Sequence, residues 1–369
     1  MTACSFYGNP LNPDQKFLKG HKNGMKGVPK SVSYIRYNFM NSADLQQVFF
    51  SNLKNVIPSN ISMVDEIAEI LDIGYDSVYR RIRGEKPITL GELKILCDRY
   101  QISLDQVLQL DNDSIVFQAP GINNDIDFSG YLSGILAEFK YFNSFGTKEI
   151  FYLCKDLPMW YYFLFPEIAA FKLFCWMKTI QNLPDYQHKT FSLLNFPFDE
   201  LYKTGQQILN EYTKIPTVEL WGHETVNSTI NQIQYYRDAN LIANHEDLKM
   251  VLRSLNQMFN HLKTQAEAGL KFMPGVSPSN SKGGYNLYIN EVLLGNNTTL
   301  VNLDNTLHCY INYNGLNYFK TRDVRFTTRS MRHFNTLMSR STHISGTGEK
   351  YRNKYFGLLE ERVNMLDVG

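Results

Sequence analysis

Between residues 43 and 109, apolar side chains recur in five short stripes separated by turn formers, and this leaves little choice but a compact helical unit. The stripes are Leu45, Val48, Phe49, Leu53 and Val56; Val64, Ile67, Ala68 and Leu71; Val78 and Ile82; Leu90, Leu93, Leu96, Cys97 and Tyr100; and Leu104, Val107 and Leu108. Steps of three and four place each set on one side of a helix. Start signals coincide with the stripes. Ser62 suits an N-cap, and Thr89-x-x-Glu92 and Ser103-x-x-Gln106 read as capping boxes, in which side chains satisfy amides that a helix start leaves unpaired. Gly84 and Pro87 stop the third helix.

The rest of the chain divides by pattern. Residues 1–39 carry Lys16, Lys19, Lys22, Lys26, Lys30 and Arg36 against Asp14 and show no period, which suggests a basic, disordered leader. The helical unit spans 40–110, and DNDSIVFQAPGINNDID (111–127) reads as a linker. Helical patterning resumes over 128–273. It is rich in aromatics across 151–176 and shows a short heptad-like seam at Leu248, Val251, Leu255, Met258 and Leu262. After PGVSPSNSKGG (274–284) the period changes. YNLYINEVLL, TTLVNL, TLHCYINY and LNYFKT alternate like strands, and Asn314-Gly315 is a strong hairpin signal. Helices near 327–340 and 349–366 close the chain. The expected class is therefore mainly α: an N-terminal five-helix unit, a central helical region, and a late small antiparallel β-meander with closing helices. The segment 274–369 is expected to pack with the helical domain.

Composition narrows the function. The 369 residues carry a net charge of +1, so no global field draws nucleic acid or membrane, and any basic role is local. Five cysteines, odd in number and never spaced C-x-x-C, argue against a disulfide framework or zinc knuckle and fit a reducing cytoplasm. The apolar stretch 159–177 is broken by Pro166, Glu167 and Lys172, so it reads as buried core and not as a membrane span. No apolar block opens the chain as a signal peptide would. His223-Glu224 and His245-Glu246 do not extend to H-E-x-x-H, and no Walker or dinucleotide fingerprint occurs. An enzyme, a metal site or a cofactor is not expected.

One stretch concentrates charge. DSVYRRIRGEKP (76–87) holds Arg80, Arg81, Arg83 and Lys86, four of the seven cations within residues 40–110, where ten acidic residues make the unit acidic elsewhere. The order around it is Ala68-Glu69-Ile70-Leu71, a short turn, Ser77-Val78, Gly84, and Ile102-Ser103-Leu104-Asp105-Gln106-Val107. Over about 65 residues this resembles the lambda-repressor-like (xenobiotic-response-element type) helix-turn-helix DNA-binding family. Asp72 stands at the family's usual turn glycine and Ile82 at its usual acidic residue late in the recognition helix. Val78 and Ile82, one turn apart, are the expected buried pair.

The resemblance implies a recognition helix from about Tyr75 to Arg83 whose N-terminal half enters the major groove of double-stranded DNA. Tyr75, Asp76 and Arg80 match the family's base-facing positions. Arg80 suits guanine O6 and N7, and Asp76 suits cytosine N4. Ser77, Tyr79, Arg83 and Lys86 match phosphate contacts, Arg81 suits either contact or packing, and the helix start at Thr89 can hold a phosphate. The resemblance also implies a homodimer on two half-sites. The function it points to is a sequence-specific one-component transcriptional regulator in the cytoplasm, with a C-terminal dimerisation or sensing region. An antitoxin-like interaction scaffold and an enzyme targeted to DNA are the alternatives. For a small-molecule effector, the aromatic block offers Trp160, Tyr161, Tyr162 and Trp176 as a candidate pocket. Arg322, Arg325, Arg329 and Arg332 step by three and four as a candidate anion-binding stripe.

Overall fold

A computed structural model describes residues 42–58, 60–104, 115–119, 128–280, 283–292, 295–313 and 315–367. The basic leader, the fifth helix beyond Leu104 and most of the expected linker lie outside the described residues.

The N-terminal unit contains α1 (Ser42–Val56), α2 (Met63–Leu71), α3 (Tyr75–Ile82) and α4 (Leu90–Tyr100). Its core is Phe49, Phe50, Leu53, Ile57, Ile67, Val78 and Leu96, drawn from the predicted stripes. The caps form as their residue types dictate. Ser62 Oγ accepts from the Asp65 amide, and Thr89 with Glu92 closes a reciprocal capping box. Asp72 ends α2 at φ 51°, a left-handed conformation that Asp tolerates better than most residues. One element has no sequence signal. Gln46, buried on α1, donates to the carbonyls of Arg81 (2.6 Å) and Lys86 (2.8 Å), and accepts from the Ile88 amide (2.8 Å). It thereby satisfies the backbone where the chain leaves α3.

The remaining chain is built on a seven-stranded sheet, ordered β6-β5-β4-β1-β2-β3-β7. Its strands are β1 (Lys148–Cys154), β2 (Thr217–Gly222), β3 (Tyr285–Asn290), β4 (Thr298–Leu303), β5 (Thr306–Asn312), β6 (Tyr318–Thr321) and β7 (Thr342–His343). β1, β2 and β3 run parallel, and the other neighbours pair antiparallel. The helices are α5 (Phe128–Asn143), α6 (Pro166–Cys175), α7 (Asp199–Thr213), α8 (Asn227–Asp238), α9 (His245–Ala268), α10 (Val324–Ser339) and α11 (Glu349–Asp367). Side chains alternate across the strands. Ile150, Tyr152, Trp221, Leu287 and Val301 face the main core with α5 to α9 and α11, while Leu153, Val218, Leu220, Leu300 and Cys309 face α10 through Phe334.

Three expectations change here. The segment 128–273 is not wholly helical, because it contains β1 and β2. β2 is buried at all six positions, Thr217 and Glu219 included, and its six residues are too few to stand out from the helical patterning on either side. The late strands are not one meander either. β4, β5 and β6 are sequential antiparallel neighbours, but β3 sits across the sheet between β2 and β7. Strands from both sides of residue 273 therefore share one sheet. Finally, the described part of the linker is attached. Gln118 and Lys320 exchange backbone hydrogen bonds of 2.8 Å, and Phe117 packs edge-on against Phe319 and Phe326.

The helical unit touches this body. Tyr141 OH donates to the Val56 carbonyl (3.0 Å), and the Gln118 side-chain amide donates to the Gln101 carbonyl. Among the described residues, no helix is long and apolar enough to cross a membrane.

Candidate functional site

α3 has two unlike sides. Val78 is fully buried and Ile82 half-buried against the core, while Tyr75, Asp76, Tyr79, Arg80 and Arg83 are exposed. Steps of one, three, one and three turn these five side chains to one side of the helix, and the exposed Lys86 follows just beyond it. Ser77 is half-buried at the edge of that side. Gly84, at φ +78°, lets the chain turn sharply after α3, where an added Cβ would press on Ala43 at 3.2 Å.

Arg81 does not belong to the exposed side and is here corrected to a packing role. It is 4% exposed, its guanidinium grips Glu92 (Nε to Oε2 3.2 Å, Nη2 to Oε1 2.5 Å), and Nη1 donates to the Ser77 carbonyl. The buried side of α3 thus carries Arg81 as well as Val78, a three-step pair alongside the four-step pair with Ile82. The Arg81 contact holds the Glu92 carboxyl below the usual carboxylate range. Glu92 also serves the capping box, so one carboxylate joins α3 to the start of α4. The amides of Thr89 and Glu92 are occupied by this box.

The exposed cations are not isolated. Glu85 accepts from Arg83 Nε at 2.7 Å and Nη2 at 3.0 Å, and lies 3.9 Å from Arg80. Both arginine side chains are about half exposed, so Glu85 does not enclose them.

The aromatic block divides between two environments. Tyr161 belongs to a closed network around Glu219 on β2. That fully buried carboxylate accepts from Tyr161 (2.7 Å), Tyr212, Trp221 Nε1 (2.7 Å) and Tyr285 (3.1 Å). Burial still raises its pKa, against the hydrogen bonds from Tyr212 and Tyr161 and the charge of Lys271. Tyr162 is buried against Thr229. Trp160 and Trp176, by contrast, line a cavity of about 190 Å³ over β1, β4 and β5, on the main-core face of the sheet. Lys172 of α6 lines it as well, with Nζ bonded to Gln232 Oε1 (2.6 Å) and Thr229 Oγ1 (3.3 Å). The sequence offered one signal for it: a lone lysine inside an apolar helical run.

The arginine series is broken. Arg325, Arg329 and Arg332 are exposed on α10, but Arg322 precedes the helix, half-buried, and donates from Nε to His308 Nδ1 (3.3 Å). Asp323 takes the N-cap between them and pairs with Arg325 at 3.3 Å. Among the described residues no group of three or more His, Cys, Asp or Glu side chains is placed to hold a metal ion. Comparison with protein-family models, with curated proteins and with solved structures finds no match.

Proposed function

We propose that α2, the turn at Asp72–Gly74 and α3 act as a helix-turn-helix of the lambda-repressor-like type, and that the chain is a sequence-specific, one-component transcriptional regulator. The observation that supports it is the division of α3. Val78, Arg81 and Ile82 fasten the helix, and this leaves Tyr75, Asp76, Tyr79, Arg80 and Arg83 on one solvent-facing side. In this reading Asp76 and Arg80 read base edges, Tyr75 lies beside them, and Ser77, Tyr79, Arg83 and Lys86 meet phosphates. The sheet-based body serves dimerisation or sensing.

Fluorescence anisotropy on duplexes from upstream of the protein's own gene tests this. A dimer making about eight phosphate contacts gives log K falling with log salt at a slope near −7. Arg80→Ala with Arg83→Ala should abolish specific binding while leaving the fold intact. Binding that ignores both substitutions and salt removes the proposal. A second reading has its own support: exposed Tyr75 (59%) and Tyr79 (49%) beside arginine match the residue types that anchor protein interfaces. Salt-insensitive binding of a protein partner through the same residues would favour it.

A further inference from the structure

The cavity on the main-core face of the sheet combines features that a packed core avoids. Lys172 is only 3% exposed, yet its ammonium rests on two neutral oxygens and on the Tyr162 (4.5 Å) and Trp176 (5.4 Å) rings, and the Asp156 carboxylate acts on it only through longer-range attraction, without an ion pair. A desolvated cation whose neighbouring carboxylate makes no direct contact is costly, and an anion in direct contact relieves it. Burial lowers its pKa to about 8, so it still carries charge at neutral pH. Trp160, also on the wall, has an indole N–H shielded from solvent and without a hydrogen-bond partner. The remaining wall is largely apolar, with Phe139, Phe142, Ile150 and Leu316 among its residues.

We infer that this cavity binds a small apolar monocarboxylate, its carboxylate meeting Lys172 and the Trp160 N–H and its body lying among the aromatic side chains. Size and charge both limit the class. An apolar cavity of about 150 Å³ accepts benzene, so about 190 Å³ accommodates one ring, or a short branched chain, with an acid group. Two acidic side chains, Asp156 and Glu138, also line the space. Glu138 is engaged by Tyr310 OH (2.6 Å) and lies 3.9 Å from Lys320. A second carboxylate on the ligand would meet these two acids, which selects against diacids.

The test uses the full chain without DNA, so its outcome is independent of the helix-turn-helix proposal. Two of the three tryptophans, Trp160 and Trp176, line the cavity, so intrinsic fluorescence reports occupancy. Phenylacetate, cyclohexanecarboxylate and hexanoate are titrated at pH 7, with phenylacetamide as the neutral isostere and calorimetry for stoichiometry. At least one acid should saturate at one per chain. Phenylacetate should bind about tenfold or more tightly than its amide, the scale of a charge-assisted hydrogen bond. Lys172→Met should erase that preference, and raising the pH above 8 should weaken it. Trp160→Phe, which keeps an aromatic ring but removes the N–H, should weaken acid binding several-fold if Lys172→Met does not fold. Absence of saturable acid binding at millimolar concentrations overturns the inference. So does equal affinity for acid and amide, or an acid preference that survives the substitution.

Discussion

Arg80, Arg81 and Arg83 are near neighbours in sequence, yet a helix advances each residue by about 100°, and that rotation separates their roles. Arg81 turns inward to Glu92 and the Ser77 carbonyl, while Arg80 and Arg83 stay outside with Glu85. Arg81→Ala removes the charged partner of Glu92, leaving it only the Thr89 amide, and should cost on the order of 3 kcal/mol in urea unfolding. Arg80→Ala, at a half-exposed ion pair, should cost well under 1 kcal/mol. The pH dependence comes from the Glu92 carboxyl, whose folded-state pKa is depressed, first by the Arg81 hydrogen bond. Its contribution is complete above the unfolded carboxylate pKa near 4.5 and fades as pH falls through the lower folded value. Wild-type stability should therefore drop more steeply than that of Arg81→Ala below about pH 4.5. Parallel curves would show that the pair is not the cause.

Elements in this protein are locked to one another at a few close approaches. On α7, Gly205 faces the Phe163 ring so closely that an added Cβ would sit 2.1 Å from Phe163 Cδ1. Phe163 lies in the 3₁₀ turn Met159–Leu164, which also carries Trp160 of the cavity wall. Gly205→Ala must push helix and turn apart, an overpacking cost of roughly 2 kcal/mol. The expected outcome is a lowered melting temperature together with altered tryptophan fluorescence, because the displaced turn moves Trp160. An unchanged melt would mean that α7 is loosely seated. At the far edge of the sheet, the described part of the expected linker is tied down by one isolated antiparallel bridge, Gln118 to Lys320 of β6.

At the scale of the molecule, the sheet decides what can fold alone. β1 lies between β4 and β2, and β2 lies between β1 and β3, so residues 128–273 keep only the β1–β2 pairing when separated from residues 274–369. A fragment of 128–273 should show no cooperative thermal transition by circular dichroism. A fragment of 1–110 should show one, because its apolar cluster closes within itself. That transition will be shallow, as domains of this size bury a limited fraction of their surface. A cooperative melt from 128–273 would mean that the sheet is not the unit of folding.

How much was legible depends on the range of the interactions. In the N-terminal unit the sequence by itself determined the apolar stripes, the Ser62 and Thr89–Glu92 caps and the stop at Gly84, because these depend on residues within one or two turns of each other. It also marked the hairpin-linked strands β4, β5 and β6, whose partners are neighbours in the chain. Only the tertiary structure decided that Arg81 faces inward, since Glu92 sits eleven residues away across a turn. Only the tertiary structure revealed β1 and β2 as strands. Each is only six or seven residues long, set among helical patterning, and their partners arrive from dozens of residues away. The same holds for Lys172 and Trp160. Their common cavity is made by helices and strands drawn from most of the body, and no local pattern encodes that meeting.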